Sequence, residues 1–98
     1  MPKVYVPVDQ GYDYTQAKRF GSLHFVADGN LNPLDTAIMR GLWNHALASA
    51  TKDDWIIVSS LASHLAIGSA LFASTFGQLN LLIYHHGDYI TQVITMEA

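Results

Sequence analysis

The sequence predicts a single small α/β domain built on a five-stranded sheet, with two main helices and a C-terminal antiparallel hairpin. Two observations predict this class. β-branched and aromatic runs alternate with segments of helical periodicity, a pattern typical of mostly parallel sheets. A chain of 98 residues also has room for only one core. We therefore expect a Rossmann-like sandwich of two or three layers over residues 1–98, whose strand order stays open.

The first predicted strand covers residues 4–8, which are β-branched and aromatic. Pro7 cannot donate a hydrogen bond to a neighbouring strand, so this strand either lies at an edge of the sheet or ends there. A polar connection over residues 9–22, with room for a helical turn, leads to a second strand over residues 23–27.

The first main helix is predicted to begin at Pro33 and to end near Ala50. Asn32 suits the N-cap, and proline is favoured at the first helical position because its ring presets the backbone angle. The stripe predicted to face the core comprises Leu34, Ile38, Leu42, His45 or Ala46, and Ser49, with Met39, Trp43 and Leu47 at its margin.

The second half of the chain predicts a buried strand, a helix and a hairpin. Residues 55–58 form a continuous apolar run, which is typical of a central parallel strand covered on both faces. The following helix runs to Phe76 and is stopped by Gly77. It is apolar around most of its circumference, so it needs cover from this chain or from a second one. Two strand-like runs, 79–84 and 89–95, then form the hairpin, with a tight reversal predicted at Gly87-Asp88.

Several segments of this pattern resemble small uncharacterised α/β proteins carried by phages and prophages. The segments that carry the resemblance are Asp13-Tyr14, residues 17–21, Asn32-Pro33-Leu34-Asp35, residues 53–59 and residues 76–82. The resemblance implies a viral origin and, with it, the cytoplasm of the host. It transfers no catalytic residue.

Composition excludes several classes of protein. Five Lys and Arg against eight Asp and Glu leave no basic surface for nonspecific nucleic-acid binding. The amino terminus reaches proline and aspartate before any signal-like apolar run, and the apolar stretch over residues 61–76 is too short to span a membrane, so we expect a cytoplasmic protein. Charged residues make up 13% of the chain, against about 25% in typical domains. This low charge favours a homo-oligomer.

Polar residues follow the predicted strands at their carboxyl ends, where open parallel sheets bind ligands. The candidate ligand-binding residues are Asp9, Asp28, Asn30, Ser59, Ser60, Ser63 and His64. The serines at a helix start could hold a phosphate or carboxylate. The simpler interpretation is that Ser60 or Ser63 caps the helix.

The histidines predict neither a metal site nor a cofactor. His64 is the one candidate for proton transfer, because it lies in the first turn of a helix beside serines. His24 and His45 are interpreted as core or interface residues. His85 and His86 are adjacent on an extended segment, so they should point to opposite faces and lie on the hairpin surface.

The loop between the first two strands combines aromatic side chains with both signs of charge. The candidate partner-binding residues are Tyr12, Tyr14, Lys18 and Arg19, residue types that are enriched at interfaces. The alternative is a solvated connector whose tyrosines pack on the sheet. Trp43 and Trp55 are interpreted as core or interface anchors.

These observations predict a non-enzymatic binding and oligomerising protein that acts through protein–protein contacts, using the second helix or an exposed strand to dimerise. The alternative is a nucleotide- or phosphate-binding module at the carboxyl ends of the strands, with hydrolysis by His64 as its furthest form.

Overall fold

The computed structural model describes residues 1–59 and 61–96, which form a mixed α/β domain. In chain order the elements are β1 (Lys3–Val8), a 3-10 helix (Thr15–Arg19), β2 (Ser22–Ala27), α1 (Thr36–Ala46), a second 3-10 helix (Leu47–Ser49), β3 (Trp55–Ile57), α2 (Ala62–Phe76), β4 (Gln78–His85) and β5 (Asp88–Thr95). Among the described residues, no helix has the length and apolar character needed to cross a membrane.

The five strands form one sheet in the order β2-β1-β3-β4-β5. β1 pairs in parallel with β2 and with β3, β3 pairs in parallel with β4, and β4 pairs antiparallel with β5. The predicted five strands, two helices and hairpin are confirmed, with β3 at the centre. The Rossmann-like description holds only in part, because the short polar crossover from β1 to β2 forms a 3-10 helix in place of an α-helix.

The sheet is covered by α-helices on one face and by the first 3-10 helix on the other. The helical face buries Tyr5, Val26, Ile56 and Leu79 from the strands against Trp43 of α1 and Phe72 of α2. The opposite face buries Val4, Val6, Ile57, Leu82 and Tyr89 against Tyr14 and Ala17. The domain is thus two layers deep, with a thin third layer over part of one face.

β1 is a central strand, so the edge interpretation of Pro7 is wrong. The strand continues through Pro7 to Val8, while its pairing with β3 extends only from Val4 to Tyr5. Beyond that point the Pro7 carbonyl is paired with the Nε2 atom of His64, 2.9 Å away. Proline is tolerated here because the neighbouring strand β3 is only three residues long.

α1 begins three residues later than predicted. Asn32 and Pro33 belong to a turn, in which the Asn32 side chain accepts a hydrogen bond from the Leu34 backbone. The N-cap is Asp35, whose carboxylate accepts from the Ile38 amide at 3.2 Å. Both Asn and Asp are good caps, and Asp35 is the one used.

The later start is accompanied by a different buried face of α1. Met39 and Trp43 are fully buried, whereas Leu34 and Ile38 are 86% and 54% exposed. The predicted stripe is therefore wrong at Leu34 and Ile38 but holds for Leu42 and Ala46, which pack against the core, while its predicted margin supplies the fully buried side chains. His45 lies in solvent and is not a core residue.

α1 and α2 approach closely at Gly68. A Cβ atom built at Gly68 would lie 2.2 Å from the Trp43 ring, so only glycine fits there. The absence of a side chain at Gly68 thus allows the Trp43 ring to lie directly against α2. The outward face of α2 carries exposed Ala62, Ala66 and Ala70.

The end of the sheet opposite the carboxyl ends of β1 and β3 is closed by Asp54. Its buried carboxylate accepts from the Lys3 amide at 2.9 Å, the Thr51 amide at 2.9 Å and the Tyr5 hydroxyl at 3.3 Å. Burial and the nearby Asp54 charge raise the pKa of Tyr5 far above its ordinary value. Asp54 therefore ties β1 to the turn before β3.

The hairpin reverses at His86 and Gly87, one residue earlier than the predicted Gly-Asp turn. Both residues have positive φ, at 50° and 86°, as a two-residue hairpin loop requires. His85 pairs with Asp88 across this loop. The rings of His85 and His86 lie 4.0 Å apart. They do not point to opposite faces, because His86 is not extended.

Candidate functional site

The strand order places a crevice at the carboxyl ends of β1 and β3. The chain leaving β1 turns onto the face of the first 3-10 helix, whereas the chain leaving β3 enters α2 on the opposite face. Connections that diverge in this way define the point at which open α/β sheets bind their ligands.

A cavity of about 430 Å³ lies beside this point, on the face of the 3-10 helix. We call it the tyrosine cleft. It is lined by Tyr12, Asp13, Tyr14, Ile57, Val58, Ser59, Tyr84 and Tyr89. The end of β3 supplies its floor, and the loop after β1 and the β4–β5 hairpin supply its walls.

Each wall of the tyrosine cleft is an edge-to-face pair of rings. Tyr12 and Tyr14 have centroids 6.3 Å apart, and Tyr84 and Tyr89 have centroids 5.2 Å apart. Tyr14 and Tyr89 are buried, while Tyr12 and Tyr84 are 66% and 57% exposed. Burial raises the pKa of both Tyr14 and Tyr89, so these two buried rings are neutral at pH 7.

Ser59 lies on the floor of the tyrosine cleft. Its Oγ atom is buried and has no hydrogen-bond partner among the described residues. Buried hydroxyls are normally paired, and an unpaired one destabilises a fold by about 1–3 kcal/mol. Ser59 is therefore the predicted ligand residue that the structure leaves with unused bonding capacity.

The other predicted ligand residues line separate hollows. Asp9 lines one between β1 and Leu61, and Asp28 and Asn30 line another beside α1. The carboxylates of Asp9 and Asp28 each accept a backbone amide two residues ahead, which shapes their loops. Ser63 donates to the Pro33 carbonyl and does not cap α2. Ser60 lies outside the described residues.

His64 lies in the first turn of α2, and its side chain is fully buried. Its Nδ1 atom accepts from Trp43 Nε1 at 3.1 Å, and its Nε2 atom is paired with the Pro7 carbonyl at 2.9 Å. Burial lowers the pKa of His64, so the ring is neutral and Nε2–H is the donor to Pro7. Both ring nitrogens are engaged, and His64 contributes to structure rather than to the cleft.

No protein-family model, curated protein or solved structure matches the chain. The resemblance to phage proteins therefore stays a prediction.

The basic residues of the loop after β1 have separate surroundings. Arg19 forms an ion pair of 2.9 Å with Asp88, and its guanidinium lies 4.6 Å from the Phe20 centroid. Arg19 thus joins the 3-10 helix to the start of β5. Lys18 is exposed and lines a groove of about 630 Å³ over β2, together with Tyr12 and Phe25.

Apart from the adjacent pair His85 and His86, the remaining histidines lie on different elements. His24 is exposed on β2, which corrects its core interpretation, and its Nε2 lies 3.3 Å from the Ser22 hydroxyl. Within the part of the chain that the structure describes, no three His, Asp or Glu side chains are arranged to hold a metal ion.

β5 forms one edge of the sheet and is exposed along most of its length. Ile90, Val93 and Ile94 are 44%, 55% and 45% exposed, and Ile83 beside them on β4 is 37% exposed. The register pairs Ile83 with Ile90, so side chains of even number on β5 share the face of α2. We call the exposed strand β5, with Ile90 and Ile94 on the α2 face and Val93 on the other, the β5 edge. Among the described residues, no other single helix or strand exposes as many large apolar side chains.

Sequence reasoning missed Tyr84 and Tyr89 as site residues. A signal for them exists, because a two-residue loop at His86 and Gly87 places Tyr84 directly opposite Tyr89. A reversal at Gly87-Asp88, one residue later, would not place Tyr84 opposite Tyr89.

Proposed function

We propose that the protein is a non-enzymatic interaction protein that self-associates through the β5 edge. The observation that carries this proposal is an eight-residue edge strand with exposed apolar side chains on both faces and no partner strand on one side. Edge strands of this kind are templates for pairing with another chain.

The β5 edge lacks the devices that keep edge strands apart. Proteins protect such edges with lysine, proline, bulges or short strands. Residues 89–95 contain neither proline nor a charged residue. The described register with β4 runs without a break from Gln78↔Thr95 to His85↔Asp88, so no bulge twists the strand away.

The sequence of β5 matches itself when read in the antiparallel direction. Residues 90–94 read Ile-Thr-Gln-Val-Ile, which is symmetric in side-chain shape about Gln92, since Thr91 and Val93 are both β-branched and of similar size. A two-fold axis at Gln92 places Ile90 opposite the partner's Ile94 and Thr91 opposite the partner's Val93. Such pairs of branched side chains stabilise antiparallel strands, and the two-fold makes the interface isologous. A second copy of this chain is therefore the occupant we propose.

A single lysine substitution on β5 tests the proposal, with the molar mass measured by light scattering after size-exclusion chromatography. Ile94→Lys places two charges opposite apolar side chains in the dimer, and the monomer tolerates it because Ile94 is 45% exposed. Wild type is expected to elute as a dimer and Ile94→Lys as a folded monomer, with the fold checked by circular dichroism.

The matched control is Ile38→Lys, the same change at a side chain 54% exposed on α1. It should leave the dimer intact. Self-association through β5 would be rejected if the wild type is a monomer. It would also be rejected if Ile94→Lys and Ile38→Lys dissociate to the same extent.

The phosphate-binding alternative receives less support. Its candidate residues line several hollows, and the ring nitrogens of His64 are occupied. The origin of the protein in a virus, implied by resemblance, is likewise a proposal.

A further inference from the structure

The tyrosine cleft has the size and walls of a small-molecule site. Pockets for small ligands measure about 300–1,000 Å³ and are mostly apolar with a few placed polar groups. This cleft measures about 430 Å³ and combines four tyrosines with Ile57 and Val58. Its place beside the diverging connections of β1 and β3 is where open sheets bind ligands.

The two pairs of rings come from separate elements and meet over one floor. Tyr14 and Tyr89 belong to the same buried cluster, and both Tyr14 and Asp13 are near enough to Tyr89 to raise its pKa further. The exposed rings of Tyr12 and Tyr84 extend the walls outward. Flat rings on two sides favour a flat occupant, because stacked or edge-to-face contact needs an aromatic surface.

The polar groups of the cleft select the charge of that occupant. Among the described residues that line the cleft, Asp13 is the one that bears a charge. Hydrogen bonds from Thr15 lower the pKa of Asp13, so it stays ionised at neutral pH. Lys18 does not line the cleft, although it shares the groove over β2 with Asp13 and also lowers the pKa of Asp13, and Arg19 is paired with Asp88. An anionic ligand would meet Asp13 without a compensating cation on the cleft wall.

The unpaired Ser59 hydroxyl adds a directional contact. It can donate or accept a hydrogen bond, and a turn about its single side-chain bond changes its direction without moving the backbone. A ligand with a polar group at its inner end would give this buried hydroxyl the partner that the described residues do not provide.

We propose that the tyrosine cleft binds a planar aromatic molecule carrying a neutral or positively charged hydrogen-bonding group. The ring lies between the tyrosine walls and the polar group reaches Ser59, with Asp13 at the mouth. Phosphate and carboxylate ligands are disfavoured. This site is independent of β5 pairing, so either proposal can fail alone.

Three near-isosteric probes separate ring stacking from charge: benzamidine, benzamide and benzoate. Each is titrated into the ¹⁵N-labelled full chain while backbone amide shifts are followed by NMR. Saturable shifts are expected at Ser59, Tyr84 and Tyr89, with affinity falling from benzamidine to benzamide to benzoate. Each step should be about twofold to fivefold, the range of an exposed ionic contact.

Two variants assign the contacts. Asp13→Asn keeps the acceptor for Thr15 and should make the affinities of benzamidine and benzoate nearly equal. Ser59→Ala should weaken benzamidine and benzamide by about fivefold, the value of one hydrogen bond. Asp53→Asn, an exposed change in the turn before β3, is the control and should leave all affinities unchanged.

Any of three results would overturn the proposal. These are no saturable shift with any probe, shifts that map outside the cleft, or benzoate binding as tightly as benzamidine to wild type. Unchanged affinity in Ser59→Ala would remove Ser59 from the site.

Discussion

His64 is a titratable residue of α2, yet its side chain is fully buried against β1. It replaces a strand partner for the Pro7 carbonyl and accepts from Trp43, so one imidazole satisfies groups on two other elements. Sequence reasoning found His64 noteworthy because of its place at a helix start. It could not find the partners, because Pro7 and Trp43 are 57 and 21 residues away.

The buried state of His64 predicts acid sensitivity near neutral pH. Burial lowers its pKa from the ordinary 6.5. Between pH 6.5 and the lowered pKa of the folded state, the unfolded chain binds this proton and the folded chain does not, so stability is lost as the pH falls through that range, by at most about 1.4 kcal/mol per pH unit. Above pH 6.5 this contribution is constant.

Urea unfolding of wild type and His64→Gln between pH 5 and 8 measures the effect. The variant should be less stable at pH 8 but should lose less stability towards pH 5. The lowered pKa values of Asp13 and Asp88 act below their ordinary 3.8, outside this window. Equal slopes for the two proteins would show that His64 is not the titrating group.

At the scale of elements, the contact between α1 and α2 depends on one glycine. Trp43 cannot withdraw from Gly68, because its Nε1 donates to the His64 carbonyl at 2.9 Å as well as to the ring. Gly68→Ala is therefore expected to destabilise the fold by about 1–3 kcal/mol through overpacking.

Gly41→Ala provides the matched control, since Gly41 lies in α1 with nothing within 4 Å of the added Cβ. It should stabilise by about 0.4–1 kcal/mol, because alanine has the higher helix propensity. Thermal unfolding compares both variants. Equal effects of the two substitutions would contradict the close approach at Trp43.

The elements themselves were predictable wherever a local pattern decides them. Gly77 ends α2 with φ +71°, and the continuous apolar run at Trp55 forms the central strand. The start of α1 was not predictable, because Asn32 and Asp35 are equivalent caps in sequence. Which of two adjacent stripes faces the sheet is decided by Trp43 meeting Gly68, a contact between elements.

At the scale of the whole molecule, the sequence indicates that polar residues collect at one end of the sheet. It does not indicate that they line different hollows at that end. The strand order and the diverging connections distribute Asp9, Asp28 and Ser59 among different hollows. The residues that line the tyrosine cleft are spread along the sequence from Tyr12 to Tyr89, so the cleft exists only in the folded chain.

Low charge predicts an oligomer, and we propose the exposed β5 edge as its interface. Ile90, Val93 and Ile94 are the side chains that a second copy would cover. The predicted two-fold axis at Gln92 specifies one register among several, and a register is testable residue by residue.

Cysteine cross-linking tests that register most directly, because the chain contains no cysteine. Opposed residues in antiparallel strands have Cα atoms about 4.5 or 5.5 Å apart, within the range of about 4.4–6.8 Å that a disulfide bridges. Gln92→Cys is expected to form a covalent dimer under mild oxidation at low protein concentration. Thr95→Cys should not, because its copies would lie six residues apart along the strand, roughly 20 Å. A monomeric Gln92→Cys, or equal cross-linking at both positions, would contradict pairing through the β5 edge.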